Sequence, residues 1–135
     1  MFELFLIIDI IMAAAAILGG YYMRFRASKD ETMKHGLRIS GSLKSREAWE
    51  FANISCGRSW MAVGVIEICL GMPIALLMYW WKGESIAIAL LFVYLEFFTI
   101  LLCVSVINVS RNISDKFDEN GRPIKKGVKH DQDRS

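Results

Sequence analysis

The sequence predicts an all-α membrane protein: three transmembrane helices, with an interfacial helix on the cytoplasmic side preceding the second span. Two observations predict it. The apolar residues, 54 % of 135, are gathered into three blocks, Leu4 to Met23, Trp60 to Trp81 and Ile86 to Ile107. Each block matches the roughly 20 residues with which a helix crosses a hydrocarbon core of about 30 Å. None alternates with period two, so helices rather than barrel strands are expected to satisfy the backbone in lipid. A mean hydropathy of +0.35 agrees.

Span one is flanked before by Glu3 alone and after by Arg24 and Arg26, and Asp9 interrupts its apolar run. A secretory signal would need a basic n-region and an unbroken apolar core, so Ala13 to Ala16 are not expected to form a cleavage site and the segment reads as a retained anchor. The following loop, residues 24–59, holds Arg24, Arg26, Lys29, Lys34, Arg38, Lys44, Arg46 and Arg58. The turn between spans two and three, Lys82 to Ser85, holds one basic residue, and the tail holds the rest. Fifteen of the sixteen Lys and Arg therefore lie on one side. The positive-inside rule places that side in the cytoplasm and the N-terminus outside.

Within the loop, Gly36 and Gly41 break a polar stretch. From Ser45, a plausible N-cap with Glu47 in the first turn, the residues Trp49, Ala52, Asn53, Cys56 and Trp60 recur at helical spacing. This helix is expected along the membrane surface, anchored by Trp49 and turning into span two near Gly57, while Tyr21, Tyr22 and Phe25, Trp60, and Tyr79, Trp80 and Trp81 read as aromatic belts. Pro73, just after Gly71, should kink span two or free the carbonyl of Cys69. Residues 1–110 thus form a transmembrane domain and residues 111–135 a charged cytoplasmic tail. The tail, with few apolar anchors, is expected to be disordered or loosely lipid-associated.

Each span holds one acid: Asp9, Glu67 and Glu96. A carboxylate in hydrocarbon is costly, so such residues are functional candidates by default. Asp9 shares a helical face with Ala13, Ala16 and Gly20, Glu67 with Gly64, Gly71 and Ala75, and Glu96 with Ala89, Thr99 and Cys103. Small-residue faces are where helices meet in lipid, so the three acids are expected to converge on a common interior. Counted from the inner ends, Glu67 should lie about 10 Å deep, Glu96 about 16 Å and Asp9 about 21 Å. A proton or cation path and a set of structural hydrogen bonds both remain open.

Cys56, Cys69 and Cys103 lack metal-ligand spacing and read as small apolar packing residues. His35 and His130 have no partners at ligand spacing, so neither a metal nor another cofactor is expected. No nucleophile elbow, phosphate loop or paired acid-base constellation is present, which argues against an enzyme. The basic loop lacks interleaved aromatics, which argues against a nucleic-acid partner.

One dense stretch remains: Gly36, Arg38, Ser42, Ser45, Glu47, Trp49, Ala52, Asn53 and Gly57. It resembles the signature of the SdpI family, bacterial membrane proteins named for an immunity protein against a secreted peptide toxin. Ile39 stands where the family usually has Thr after the arginine. The resemblance runs from about residue 20 to about residue 80, and this chain corresponds to a short form of the family. It implies a multi-pass protein of the bacterial inner membrane, with immunity through partner binding as the leading expectation. Arg38 is expected to pair with Glu47 or a lipid phosphate. A proton- or cation-coupled transport component and a membrane-bound regulatory or assembly subunit are the alternatives. The expected partners are the lipid bilayer and either a peptide toxin or a cytoplasmic regulator, with homo-oligomers open as well.

Overall fold

The computed structural model describes residues 1–124. The apolar blocks become helix α1 (Phe2–Phe25), a second rod made of α2 (Arg46–Ile66), a π-helical turn (Glu67–Gly71) and α3 (Met72–Lys82), and then α4 (Glu84–Lys116). The three rods are each long and apolar enough to cross a membrane, and the chain is an integral membrane protein. The spans extend beyond the apolar blocks at both ends, because polar residues continue a helix wherever its backbone can reach water.

The expected interfacial helix is not a separate element. Arg46–Ile66 is one unbroken α-helix that runs through Gly57. The reason lies in packing. A Cβ at Gly57 would collide with the carbonyl oxygen of Gly20 and stand 2.8 Å from the Arg24 nitrogen. One at Gly20 would meet the Gly57 oxygen at 2.6 Å. These two glycines bring the backbones of α1 and α2 into contact, and Gly64 repeats the arrangement against Ala13 and Ile17. Gly57 is a crossing point, not a bend.

Two apolar clusters hold the bundle. At the loop end, Met23, Ala52, Cys56, Val109 and Ile113 are buried with Leu37, Ile39 and Trp60 against them. At the turn end, Phe2, Ala75, Ala87 and Leu91 pack with Phe5 and Tyr94. There the Phe2 ring stacks on Tyr79 at 4.5 Å between centroids. Gly83, at a φ of 92°, makes the tight reversal between α3 and α4. Glu84 just beyond it accepts a hydrogen bond of 3.0 Å from the Phe2 amide.

The tail is more ordered than expected. α4 continues to Lys116, and the chain then reverses so that Phe117 pairs with Pro123. The Asp118 carboxylate accepts from the Asn120 and Arg122 amides and closes the turn. Gly121 sits so close to Lys44 and Ser45 that a Cβ would stand 2.7 Å from each. Residues 125–135, with the Lys125-Lys126 pair, lie outside the described residues.

Candidate functional site

The segment from Gly36 to Gly57 folds into an elbow between α1 and α2, and its polar residues hold one another. Trp49 and Asn53 lie one turn apart on α2 and are both 0 % exposed. The Trp49 indole donates to the Ala27 carbonyl across 2.7 Å, which clamps the chain leaving α1. The Asn53 amide donates back to the Trp49 carbonyl at 2.9 Å, and its oxygen accepts from the Leu37 amide at 2.8 Å. Gly36, at a φ of 146°, makes this possible, since a Cβ there would overlap the Asn53 oxygen. Its backbone is in the region that glycine alone enters readily.

Ser42 completes the loop. Its hydroxyl lies 2.9 Å and 2.8 Å from the carbonyl oxygens of Leu37 and Ile39 and accepts from the Ile39 amide. Ser45 is the N-cap of α2, accepting from Ala48 at 3.1 Å, as its position before Glu47 suggested. Ala52 and Gly57 are buried against neighbouring backbone and side chains.

One expectation for this segment is corrected, and of the two partners expected for Arg38 one is absent. Trp49 is not an anchor in the membrane interface: the loop wraps over it and it becomes the centre of the elbow. Arg38 and Glu47 are both exposed and form no ion pair with each other. They are the charged members of the motif, and the fold leaves them at the surface. Beside Glu47, a shallow hollow of about 280 Å³ is lined by Glu50, Phe51, Ile54 and Ser55 as well. At its side the Lys116 ammonium rests 4.5 Å from the Phe51 ring centroid.

The intramembrane acids divide differently from expectation. Asp9, Ala13, Ala16 and Gly20 are all buried on one face of α1, and Gly64, Gly71 and Ala75 are buried on the second rod. Asp9 is 3 % exposed, and Glu67, half-buried at the head of the π-turn, is within hydrogen-bonding range of it. Glu96 does not join them. With Ala89, Thr99 and Cys103 it lies on the outer face of α4, among Phe92, Val93, Phe97 and Ile100. α4 instead buries Ala87, Leu91, Phe98, Ser105, Val109 and Ile113. Apolar residues surround α4 on every side, so its sequence gave no phase for the inner face.

The π-turn accounts for the placement of Glu67. The ring of Pro73 would press on the carbonyl of Cys69 in a regular helix, and the wider turn from Glu67 to Gly71 relieves this. Met72 accordingly donates to the Glu67 carbonyl, five residues back. Gly71 then leaves the space that the Glu67 carboxyl fills, since a Cβ there would overlap it. Pro73 was expected to disturb this helix, but the form of the disturbance was not legible from the residue alone.

Among the described residues, no group of three His, Cys, Asp or Glu is arranged to hold a metal ion. The SdpI/YfhL protein family model matches residues 35–109, from the residue before Gly36 through the inner face of α4. No curated protein and no solved structure matches the chain. The family match covers more than half of the sequence, and the chain belongs to the SdpI/YfhL family.

Proposed function

We propose that this member of the SdpI/YfhL family acts by binding a partner at the bilayer, and that the outcome is protection of a bacterial cell from a membrane-active peptide. The observation that supports this best is the division of labour within the motif. Gly36, Ser42, Trp49, Ala52, Asn53 and Gly57 are spent on rigidity, while Arg38 and Glu47 stand exposed on the surface they create. A preformed surface loses little conformational entropy when a partner docks.

The hollow beside Glu47 supports one partner chemistry over others. Its rim is acidic through Glu47 and Glu50, and its floor is the apolar surface of Phe51 and Ile54. That combination fits a cationic, apolar segment, the usual chemistry of a peptide that attacks membranes. The charge distribution supports a position in the cytoplasmic membrane with this elbow facing inward.

A challenge experiment tests the proposal. Cells lacking the gene should become sensitive to a co-produced cationic peptide, and the wild-type gene should restore resistance. Arg38→Ala with Glu47→Ala should not restore it at equal protein level. Finding no sensitivity to any such peptide removes the immunity reading.

A further inference from the structure

Among the described residues, the buried side chains Ser28, Ser42, Trp49, Asn53 and Ser105 all have hydrogen-bond partners. Two buried atoms have none: Asp9 Oδ2 and Glu67 Oε1. They belong to carboxyl groups on different rods that approach within hydrogen-bonding range of each other. Two carboxylates repel, and neither brings a donor. One proton between them turns the repulsion into a hydrogen bond.

We propose that Asp9 and Glu67 form an intramembrane binding site for one exchangeable proton, seated where α1 meets the π-turn. Three features of the surroundings suit that ligand. No Lys, Arg or His occurs in residues 2–23, 59–81 or 85–110, so no side-chain cation of the spans occupies the place of the proton. The titratable group of α4 within electrostatic reach is the Tyr94 phenol, which is neutral, while Glu96 faces outward. Cys69, on the π-turn itself, is exposed on the other side. Two carboxyls alone give too few ligands for calcium or magnesium, which take six or more oxygens.

The two acids have unequal access. Asp9 is enclosed, whereas Glu67 is only partly buried, so Glu67 is the member nearer the outside of the bundle and the one a reagent in the bilayer reaches first. The π-turn supports this division, because the gap above Gly71 lets the Glu67 side chain lie along its own helix. The site does not depend on the partner-binding reading, since it lies in the span and not in the elbow.

Infrared spectroscopy of the full chain in liposomes tests it, with protons and deuterons as the probe. At neutral pH the wild type should show the carbonyl band of a protonated carboxyl that shifts in heavy water. Glu96→Gln should keep this band, and the double variant Asp9→Asn with Glu67→Gln, made in the Glu96→Gln background so that the carboxyl on the outer face of α4 adds no band of its own, should lose it. Circular dichroism establishes that the double variant is folded. The wild type alone provides a second measurement: dicyclohexylcarbodiimide, which adds to protonated carboxyls in apolar surroundings, should label Glu67, less so as the pH is raised. A band that survives in the double variant, labelling confined to Glu96, or a band that answers to sodium but not to pH would each overturn the proposal.

Discussion

The elbow and the middle of the bundle handle buried polarity in opposite ways. At the elbow, Trp49 and Asn53 each tie a different backbone group of the preceding segment to α2, and Ser42 ties the loop to itself. Midway along the spans, Asp9 and Glu67 face each other with an oxygen apiece left without a partner. A satisfied network specifies one conformation, and an unsatisfied pair lowers stability while keeping a site open to a ligand. The same chain therefore contains a region built for shape and a region whose shape is subordinate to chemistry.

Substitutions that break the elbow should be the most costly. Trp49→Ala removes a fully buried ring and orphans the Ala27 carbonyl, and about 3–5 kcal/mol should be lost, read as a lower melting temperature in detergent. Gly57→Val forces α2 away from Gly20 and should cost about 1–3 kcal/mol, with the loss of an α1–α2 cysteine cross-link as a direct measure of separation. If Gly57 served as a hinge instead, valine would stiffen the rod and the cross-link would persist.

A smaller effect is expected in the exposed loop before the elbow. Hydrogen bonds from the Thr32 hydroxyl and the His35 amide, with those from the Thr32 and Lys34 amides, hold the Asp30 carboxyl well below its ordinary range. A group whose folded value is depressed contributes order above its unfolded value and loses it as the pH falls through the folded one. The Thr32, Lys34 and His35 amides should thus stay protected while ordinary aspartates protonate, and should exchange freely only in stronger acid. Asp30→Asn should abolish that protection at neutral pH. The smallest effect belongs to the acid pair: Asp9→Asn with Glu67→Gln should leave the melting temperature at neutral pH nearly unchanged, because an uncharged amide pair takes the place of the proton-bridged pair. A large destabilisation there would place the pair with the elbow, as a structural bond.

Much of this contrast was legible in the sequence, and the remainder was hidden for identifiable reasons. Asp9 with Ala13, Ala16 and Gly20 named the inner face of α1, and Ser45 named the start of α2. Trp49 was misplaced because a tryptophan near a span reads as interfacial unless the loop that covers it is known. Gly57 was misplaced because a glycine in a helical pattern signals a break or a close crossing, and only the partner backbone at Gly20 decides between them. Glu96 faces outward although small residues share its side of the helix, because α4 packs through the larger Leu91, Phe98 and Val109 instead.

The second rod has one more consequence. From Arg46 to Lys82 it is 37 residues long, or about 55 Å against a hydrocarbon thickness of about 30 Å. The 21 residues of α2 make an arm of about 31 Å ending at the elbow, with the π-turn as its fulcrum. A change of direction of about 10° at that fulcrum would sweep the far end of the arm through about 5 Å, one pitch of a helix. The proton proposed at mid-membrane and the partner proposed for the elbow thus sit at two points of one continuous rod.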